Sequence, residues 1–354
     1  MQNVIQQIHD ANGQFEIAVA GGGTSAISKL LEISGASRSL LNGVIPYSDS
    51  ALTSYLGTRP ASACSDTTAR LMATRAFHNA RKLCSTHVIG IGATAALQTD
   101  RIRRGADQLF VAVQSRHATR VYHLSLDKQT DRISQERQCA EFIILIIAAS
   151  LDIDIPDLPS PSQEQLGTSE WQALLCGDKL ATSDQQFKGV FPGAFNPPHQ
   201  GHVRMKEIAE QHLGATVAFE ISAFNVDKPP LDYIDLAERQ SHLDGKSLVF
   251  THAATFLEKS ALFPGAAFVV GIDTLTRIDD PKYYGHSEQA KEAAIKTFAD
   301  GGHHFLVFGR LSHDNFLSLT DVEISPALRK LCTSVPESEF REDISSSAIR
   351  SDYL

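Results

Sequence analysis

Cysteine is sparse. The 354 residues hold five, at Cys64, Cys84, Cys139, Cys176 and Cys332, with no C-x-x-C pair. That spacing excludes a disulfide framework and a zinc knuckle, and it points to reduced thiols in a cytoplasmic setting. A basic surplus is lacking too: 32 Lys and Arg stand against 41 Asp and Glu, a formal net charge of −9. Proteins that grip nucleic acid through its phosphates show the opposite balance, so no nucleic-acid partner is expected. Long apolar runs are missing as well. The longest, FIILIIAAS at Phe142–Ser150, falls short of the roughly 18–20 residues a bilayer span requires, so no membrane partner is expected. The opening residues, MQNVIQQIHD, lack the basic start and apolar core of a secretory signal.

What remains is ordinary for a globular chain, 42% hydrophobic and 21% charged, which excludes collagen-like and disordered readings. The length suggests two domains. Between them lies a polar stretch with Pro156, Pro159 and Pro161. Proline fixes φ and removes a backbone donor, so residues 152–186 read as an extended linker with a short helix near Trp171–Leu175. Residues 1–151 and 187–354 are the expected domains.

Both read as α/β. In the first, Phe15–Ala20 (FEIAVA) is a short buried strand, followed by Gly21, Gly22 and Gly23 and a helix over Thr24–Ile33. Helices are expected at Val4–His9, Ser65–Leu83 and Gln135–Ser150, and strands at His87–Gly92, Leu109–Gln114 and Val121–Leu126. In the second, strands at Phe187–Phe191, Val217–Ser222, Ser247–Thr251, Ala267–Gly271 and Phe305–Phe308 alternate with helices. That pattern predicts a Rossmann-like, doubly wound parallel sheet. His303–His304 reads as a half-exposed strand start, without partners at metal-ligand spacing.

The strongest chemical signal is GVFPGAFNPPHQGH, Gly189 to His202. A strand runs into a loop containing Gly193, Phe195 and Asn196. His199 and His202 then sit three residues apart where a helix begins, around Gly201. Backbone donors at a helix start favour an anion, two imidazoles add donors to the same anion, and glycine lets it approach closely. A second signal, ISSSAIR at Ile344 to Arg350, supplies Ser345, Ser346, Ser347 and Arg350 as a cradle for a polyphosphate.

Together these motifs resemble the H-x-G-H and I-S-S-T-x-x-R signatures of the nucleotidyltransferase (cytidylyltransferase-like) superfamily, and within it the nicotinamide/nicotinate mononucleotide adenylyltransferases. NVDKP at Asn225–Pro229 is similar to that family's N-P-H-K-P loop, and FVVGIDTL at Phe268–Leu275 to its F-I-I-G-x-D-x-L segment. The resemblance covers about residues 186–354. It implies a Mg²⁺-dependent transfer of a nucleoside monophosphate from ATP to a small phosphorylated acceptor, a nicotinamide or nicotinate mononucleotide, with release of pyrophosphate. His199, His202, Lys228 and Arg350 would act on the phosphates. Gly271, Asp273 and Arg310 would line the nucleotide site. Mg²⁺ would travel with ATP, without direct protein ligands. Asp227 stands where the family has histidine, and no tryptophan follows Asp273, which keeps other phosphate-ester acceptors open. A nucleotide-binding sensor without turnover is the other alternative.

In the first half, Ala18 to Ser48 resembles the C-terminal domain of the competence/damage-inducible protein CinA, which includes nicotinamide-mononucleotide deamidases. GAS at Gly35–Ser37, NGVIPYS at Asn42–Ser48 and the glycine segment IGIGATAAL carry the likeness. It implies a homo-oligomer and a pocket formed by Gly21, Gly22, Gly23, Thr24, Ser25, Tyr47 and Ser48. The family's E-S-C-T-G-G turn is altered: Val19 and Ala20 stand at its glutamate and catalytic serine. The altered turn speaks against deamidase activity, with Thr24 and Ser25 as the substitute nucleophiles left. Whether the glycine turn holds a phosphate or serves close packing stays open.

Overall fold

The computed structural model describes residues 1–84, 87–100, 104–225, 230–312 and 315–342. The chain divides into two compact units, Met1–Gln172 with Asp227–Leu236, and Ala173–Val226 with Ala237–Leu354. The first unit thus includes a short stretch from far along the chain.

The first unit begins with α1 (Gln2–Asp10), β1 (Gln14–Ala20) and α2 (Ser25–Glu32), followed by β2 (Leu40–Val44), α3 (Asp49–Leu56) and α4 (Asp66–Leu83). Then come β3 (Val88–Ala96), β4 (Asp107–Gln114), β5 (Ala118–Leu126), α5 (Arg132–Ser150), β6 (Gln163–Leu166) and α6 (Ser169–Leu175). Its sheet runs β2-β1-β3-β4-β5-β6. The β1 strand pairs in parallel with β2 and β3, and the remaining pairings are antiparallel. The proline-rich stretch after α5 therefore contributes an edge strand, pairing Ala118–Val121 with Gln163–Leu166.

Two glycines decide how this unit packs. A Cβ at Gly90 would lie 2.2 Å from the Ala73 carbonyl oxygen, and one at Gly92 2.2 Å from that of Ala69. The α4 backbone therefore lies directly on β3, which only glycine on the strand and alanine on the helix permit. On the other side α5 buries Cys139, Ala140, Phe142, Ile143, Ile144, Ile146, Ile147 and Ala148. The apolar run in the sequence is thus a core helix. Each such aliphatic side chain contributes about 1.5–3 kcal/mol on burial. No helix among the described residues is long and apolar enough to cross a membrane.

A buried ion pair closes this unit. Arg70 on α4 donates from Nε to Asp232 at 2.7 Å and from Nη2 to Asp232 at 2.9 Å and Asp235 at 2.8 Å. The Arg70 and Asp232 side chains are 9% and 3% exposed. The neighbouring Tyr233 is fully buried, and its hydroxyl donates to the Arg116 carbonyl.

The second unit is built from β7 (Gly189–Pro192), α7 (Gln200–Leu213), β8 (Val217–Ser222), the part of α8 (Tyr233–His242) from Ala237 on, β9 (Leu248–Thr251), α9 (Phe256–Leu262), β10 (Ala267–Gly271), α10 (Ile272–Ile278), α11 (Glu288–Asp300), β11 (His304–Phe308), β12 (Arg310–Ser312), β13 (Asn315–Leu317), α12 (Pro326–Arg329) and β14 (Cys332–Val335). Its main sheet runs β14-β11-β10-β7-β8-β9, with every pairing parallel. Numbered within this sheet, the order is 6-5-4-1-2-3, that of a Rossmann-like doubly wound sheet. Central strands of such sheets are covered on both faces, as the nearly continuous burial of β10 and β11 shows. Phe268, Phe298 and Phe305 are fully buried in this core. His303 is buried rather than half-exposed: it is 3% accessible, its Nδ1 meets the Ala266 carbonyl at 3.0 Å, and its ring stacks on Phe268. Chain order reverses between β7 and β10, which opens a crevice at their carboxyl ends.

Candidate active site

The crevice holds a cavity of about 300 Å³. Gly193, Phe195, His199, Gly201 and His202 line it from the end of β7 and the start of α7, Gly271 from the end of β10, Asp273 from the start of α10, and Arg310 from the start of β12. These eight residues, scattered over more than a hundred positions, are those the sequence singles out. Asn196 is not in the wall. Lys228, Ser345, Ser346, Ser347 and Arg350 lie outside the described residues. The wall also includes residues the sequence reading did not name, chiefly Phe308, Phe340 and Glu342. Phe308 and Phe340 pack edge to face with centroids 5.1 Å apart.

The two imidazoles are stacked, with ring centroids 3.7 Å apart and planes inclined by 28°. His202 Nδ1 accepts a hydrogen bond from the His199 backbone N–H at 3.2 Å. That bond fixes the tautomer: the proton of a neutral His202 sits on Nε2, where it is a donor. Phe195 stands edge-on to the His202 ring, centroids 5.0 Å apart, and packs on Phe191 and Phe219. Burial, and secondarily the His199 charge, push the His202 pKa down to about 4. Burial lowers the His199 pKa as well, opposed by the Glu342 carboxylate.

Gly201 leaves the room this requires. A Cβ there would lie 3.0 Å from His199 Nδ1 and 3.5 Å from Glu342 Cβ. His199 Nδ1 is buried and has no hydrogen-bond partner among the described residues. Across the cavity Arg310 Nη1 pairs with Asp273 Oδ2 at 2.8 Å, with both side chains about half exposed. The arrangement is thus a donor-rich floor at a helix start, with an arginine–aspartate pair opposite. It suits a phosphate chain. Among the described residues no group of three or more His, Cys, Asp or Glu could hold a metal.

The glycine turn of the first unit is arranged differently. The Gly23 N–H donates to Glu136 Oε2 at 2.6 Å, and the Ser25 N–H and Thr24 hydroxyl donate to Oε1 at 3.0 and 3.2 Å. The anion at this helix start is the chain's own carboxylate. Of the seven residues expected to form a pocket here, Thr24 alone lines the neighbouring groove, with Ile27, Ser28, Leu31, Glu32 and Ile45. Gly21, Gly22, Gly23, Ser25, Tyr47 and Ser48 do not. The Ser48 Oγ caps α3 by accepting from the Ala51 N–H, and the Tyr47 hydroxyl accepts from Arg132 at 3.4 Å.

Comparison with known proteins gives two separate likenesses. The crystal structure of a competence or damage-inducible protein from Enterobacter asburiae overlaps 42% of this chain and 97% of its own, at 16% identity and a TM-score of 0.36. A CinA superfamily protein from Enterobacter cloacae overlaps 42% of this chain and 91% of its own, at 15% identity and a TM-score of 0.36. A competence/damage-inducible protein from Agrobacterium tumefaciens overlaps 43% and 91%, at 14% identity and a TM-score of 0.33. No curated protein matches the chain. The family described as cytidylyltransferase-like matches residues 190–352, the span that holds the stacked histidines, the Asp273–Arg310 pair and the cavity between them. Residues 190–352 are a cytidylyltransferase-like nucleotidyltransferase domain.

Proposed function

We propose that this domain transfers a nucleoside monophosphate from ATP to the phosphate of a nicotinamide or nicotinate mononucleotide, releasing pyrophosphate. The observation that carries the reading is the stacked His199–His202 pair at the α7 start, facing a cavity at the switch point of the sheet. The acceptor phosphate oxygen attacks the α-phosphorus as the bond to the bridging oxygen of the leaving pyrophosphate breaks. Such transfers need positioning and charge neutralisation rather than a covalent nucleophile. His202 offers its Nε2–H to a phosphate oxygen, and the Asp273–Arg310 pair borders the opposite wall. Lys228, Ser345, Ser346, Ser347 and Arg350 complete the reading from the sequence as further phosphate contacts.

Magnesium is proposed as an ion carried on the triphosphate, as the resemblance implies. When bound it supplies charge neutralisation on the phosphate oxygens. The first unit, on this reading, is no deamidase. The Glu136 carboxylate already takes up the donors of the glycine turn, and Val19 and Ala20 occupy the positions of the catalytic pair in the resembling family. Cytoplasmic residence and self-association are further parts of the proposal.

The test is pyrophosphate release from ATP and CTP, each offered with a panel of phosphorylated acceptors in the presence and absence of Mg²⁺. Turnover with a pyridine mononucleotide and ATP is the expected result. Turnover only with another acceptor overturns the substrate assignment, and binding without any product favours the sensor reading.

A further inference from the structure

One feature of the cavity does not suit a polyanion. Glu342 brings a carboxylate to the same wall as His199. The other carboxylate of the site, Asp273, is neutralised by Arg310 at 2.8 Å. Glu342 has no ion pair or hydrogen bond among the described residues. An unpaired negative charge beside a triphosphate raises the cost of binding unless a cation lies between them.

The cation it can make is His199. The space above Gly201 is shared by His199 Nδ1 and Glu342 Cβ, 3.0 and 3.5 Å from the position a Cβ would take. Nδ1 is therefore within side-chain reach of the Glu342 carboxylate. This same Nδ1 is the buried ring nitrogen left without a partner. The groups facing His199 are His202 on α7, Asp273 at the start of α10, Arg310 on β12, and Glu342. His202 is committed, its Nδ1 taken by a backbone N–H. Asp273 and Arg310 are committed to each other. Glu342 is the remaining acceptor.

We propose that Glu342 is the positioning residue of His199: its carboxylate accepts from Nδ1, works against the burial that disfavours the charged ring, and so lets His199 become an imidazolium when the phosphates arrive, with Nε2–H pointing to them. The two histidines then differ in kind. His202 is a neutral donor locked by the helix backbone, whereas His199 is the ring that the Glu342 carboxylate readies to take a second proton beside the phosphates. An orphaned ring nitrogen and an unpaired carboxylate satisfy each other, and the phosphates meet a positive charge where the sequence places a negative one. Apo geometry of this kind commonly tightens when substrate arrives. The proposal deepens the nucleotidyltransferase reading and rests on it for its catalytic consequence, though not for the pairing itself.

The experiment compares wild type, Glu342→Gln and Glu342→Asp by two readouts. The first is histidine NMR titration of the nucleotide-free protein, with the His199 resonance identified from its absence in His199→Asn. Glu342→Gln is expected to lower the His199 pKa by about one unit, and Glu342→Asp to restore much of it. The second is the pH profile of pyrophosphate release. A protonated His199 is lost as pH rises through its pKa, so the alkaline limb should move to lower pH in Glu342→Gln. At pH above that limb the loss is about tenfold for a one-unit shift, and it shrinks on acidification. Thermal melts establish that the isosteric variant is folded. An unchanged His199 titration overturns the proposal, as does a loss of activity equal at every pH. A shifted titration with no turnover for any acceptor upholds the pair and fails the transferase reading instead.

Discussion

Two strand–glycine–helix turns in this chain begin alike and end differently. Each carries a β-strand through a glycine-bearing loop into a helix, and the space before the helix start differs. At α2 that space is filled by Glu136, which takes two backbone N–H groups and a threonine hydroxyl. At α7 it opens on the cavity, with His199 Nδ1 buried and unpartnered among the described residues. A helix start is an anion site by default. What separates structure from function is whether the chain supplies the anion itself.

The largest expected effect breaks the comparison at its open end. His202→Ala or His199→Ala should lower pyrophosphate release by about 10²–10⁴-fold, whereas Glu136→Ala should leave turnover at the wild-type level. Equal losses would mean that both turns serve catalysis. At the closed end, Glu136→Ala leaves three donors unsatisfied and should cost about 1–3 kcal/mol of stability in a denaturant titration. It should also create a vacant anion site, seen as a rise in melting temperature with inorganic phosphate that the parent protein does not show.

Acid gives the next contrast. The His202 pKa is pushed down to about 4 in the folded protein, against about 6.5 for a free imidazole. The unfolded chain therefore binds the proton first, and stability falls as pH drops from 6.5 towards 4. His202→Asn should remove on the order of 1–3 kcal/mol of that fall, measured as the difference between melts at pH 7 and pH 4.5. The smallest effect concerns Asp273 and Arg310. Their side chains are about half exposed, so Arg310→Ala should change stability by about 0–1 kcal/mol. If the pair lines a nucleotide site, the KM for the triphosphate moves far more than the melting temperature does.

Much of this was legible in the sequence because its signals are local. The strands Phe15–Ala20, Val217–Ser222 and Ala267–Gly271 are apolar runs bounded by turn residues. The helix at Gly201–Leu213 starts where the histidines end the proline loop. The residues that escaped have no local signature. Strand β6, QEQL, is an exposed edge strand held by backbone pairing with β5, so no alternation marks it. Glu136 reads as an ordinary polar residue of a long helix, and its role comes from a turn more than a hundred positions earlier. Glu342 sits beside a serine motif that draws the eye away from it. Gly90 and Gly92 read as part of a glycine segment resembling CinA, and their packing role, with the α4 backbone filling the space above them, has no local sign.

The guanidinium of Arg70 carries a practical lesson about cutting this protein. Its carboxylates belong to Asp232 and Asp235, some 160 positions downstream, yet all three side chains sit in one compact unit. A fragment ending at residue 172 would strand a buried cation with nothing to balance it, at a cost of about 3–5 kcal/mol. A cut anywhere in residues 152–186 would sever this ion pair, so a failed deletion there would report on the lost pair rather than on the chemistry of either half.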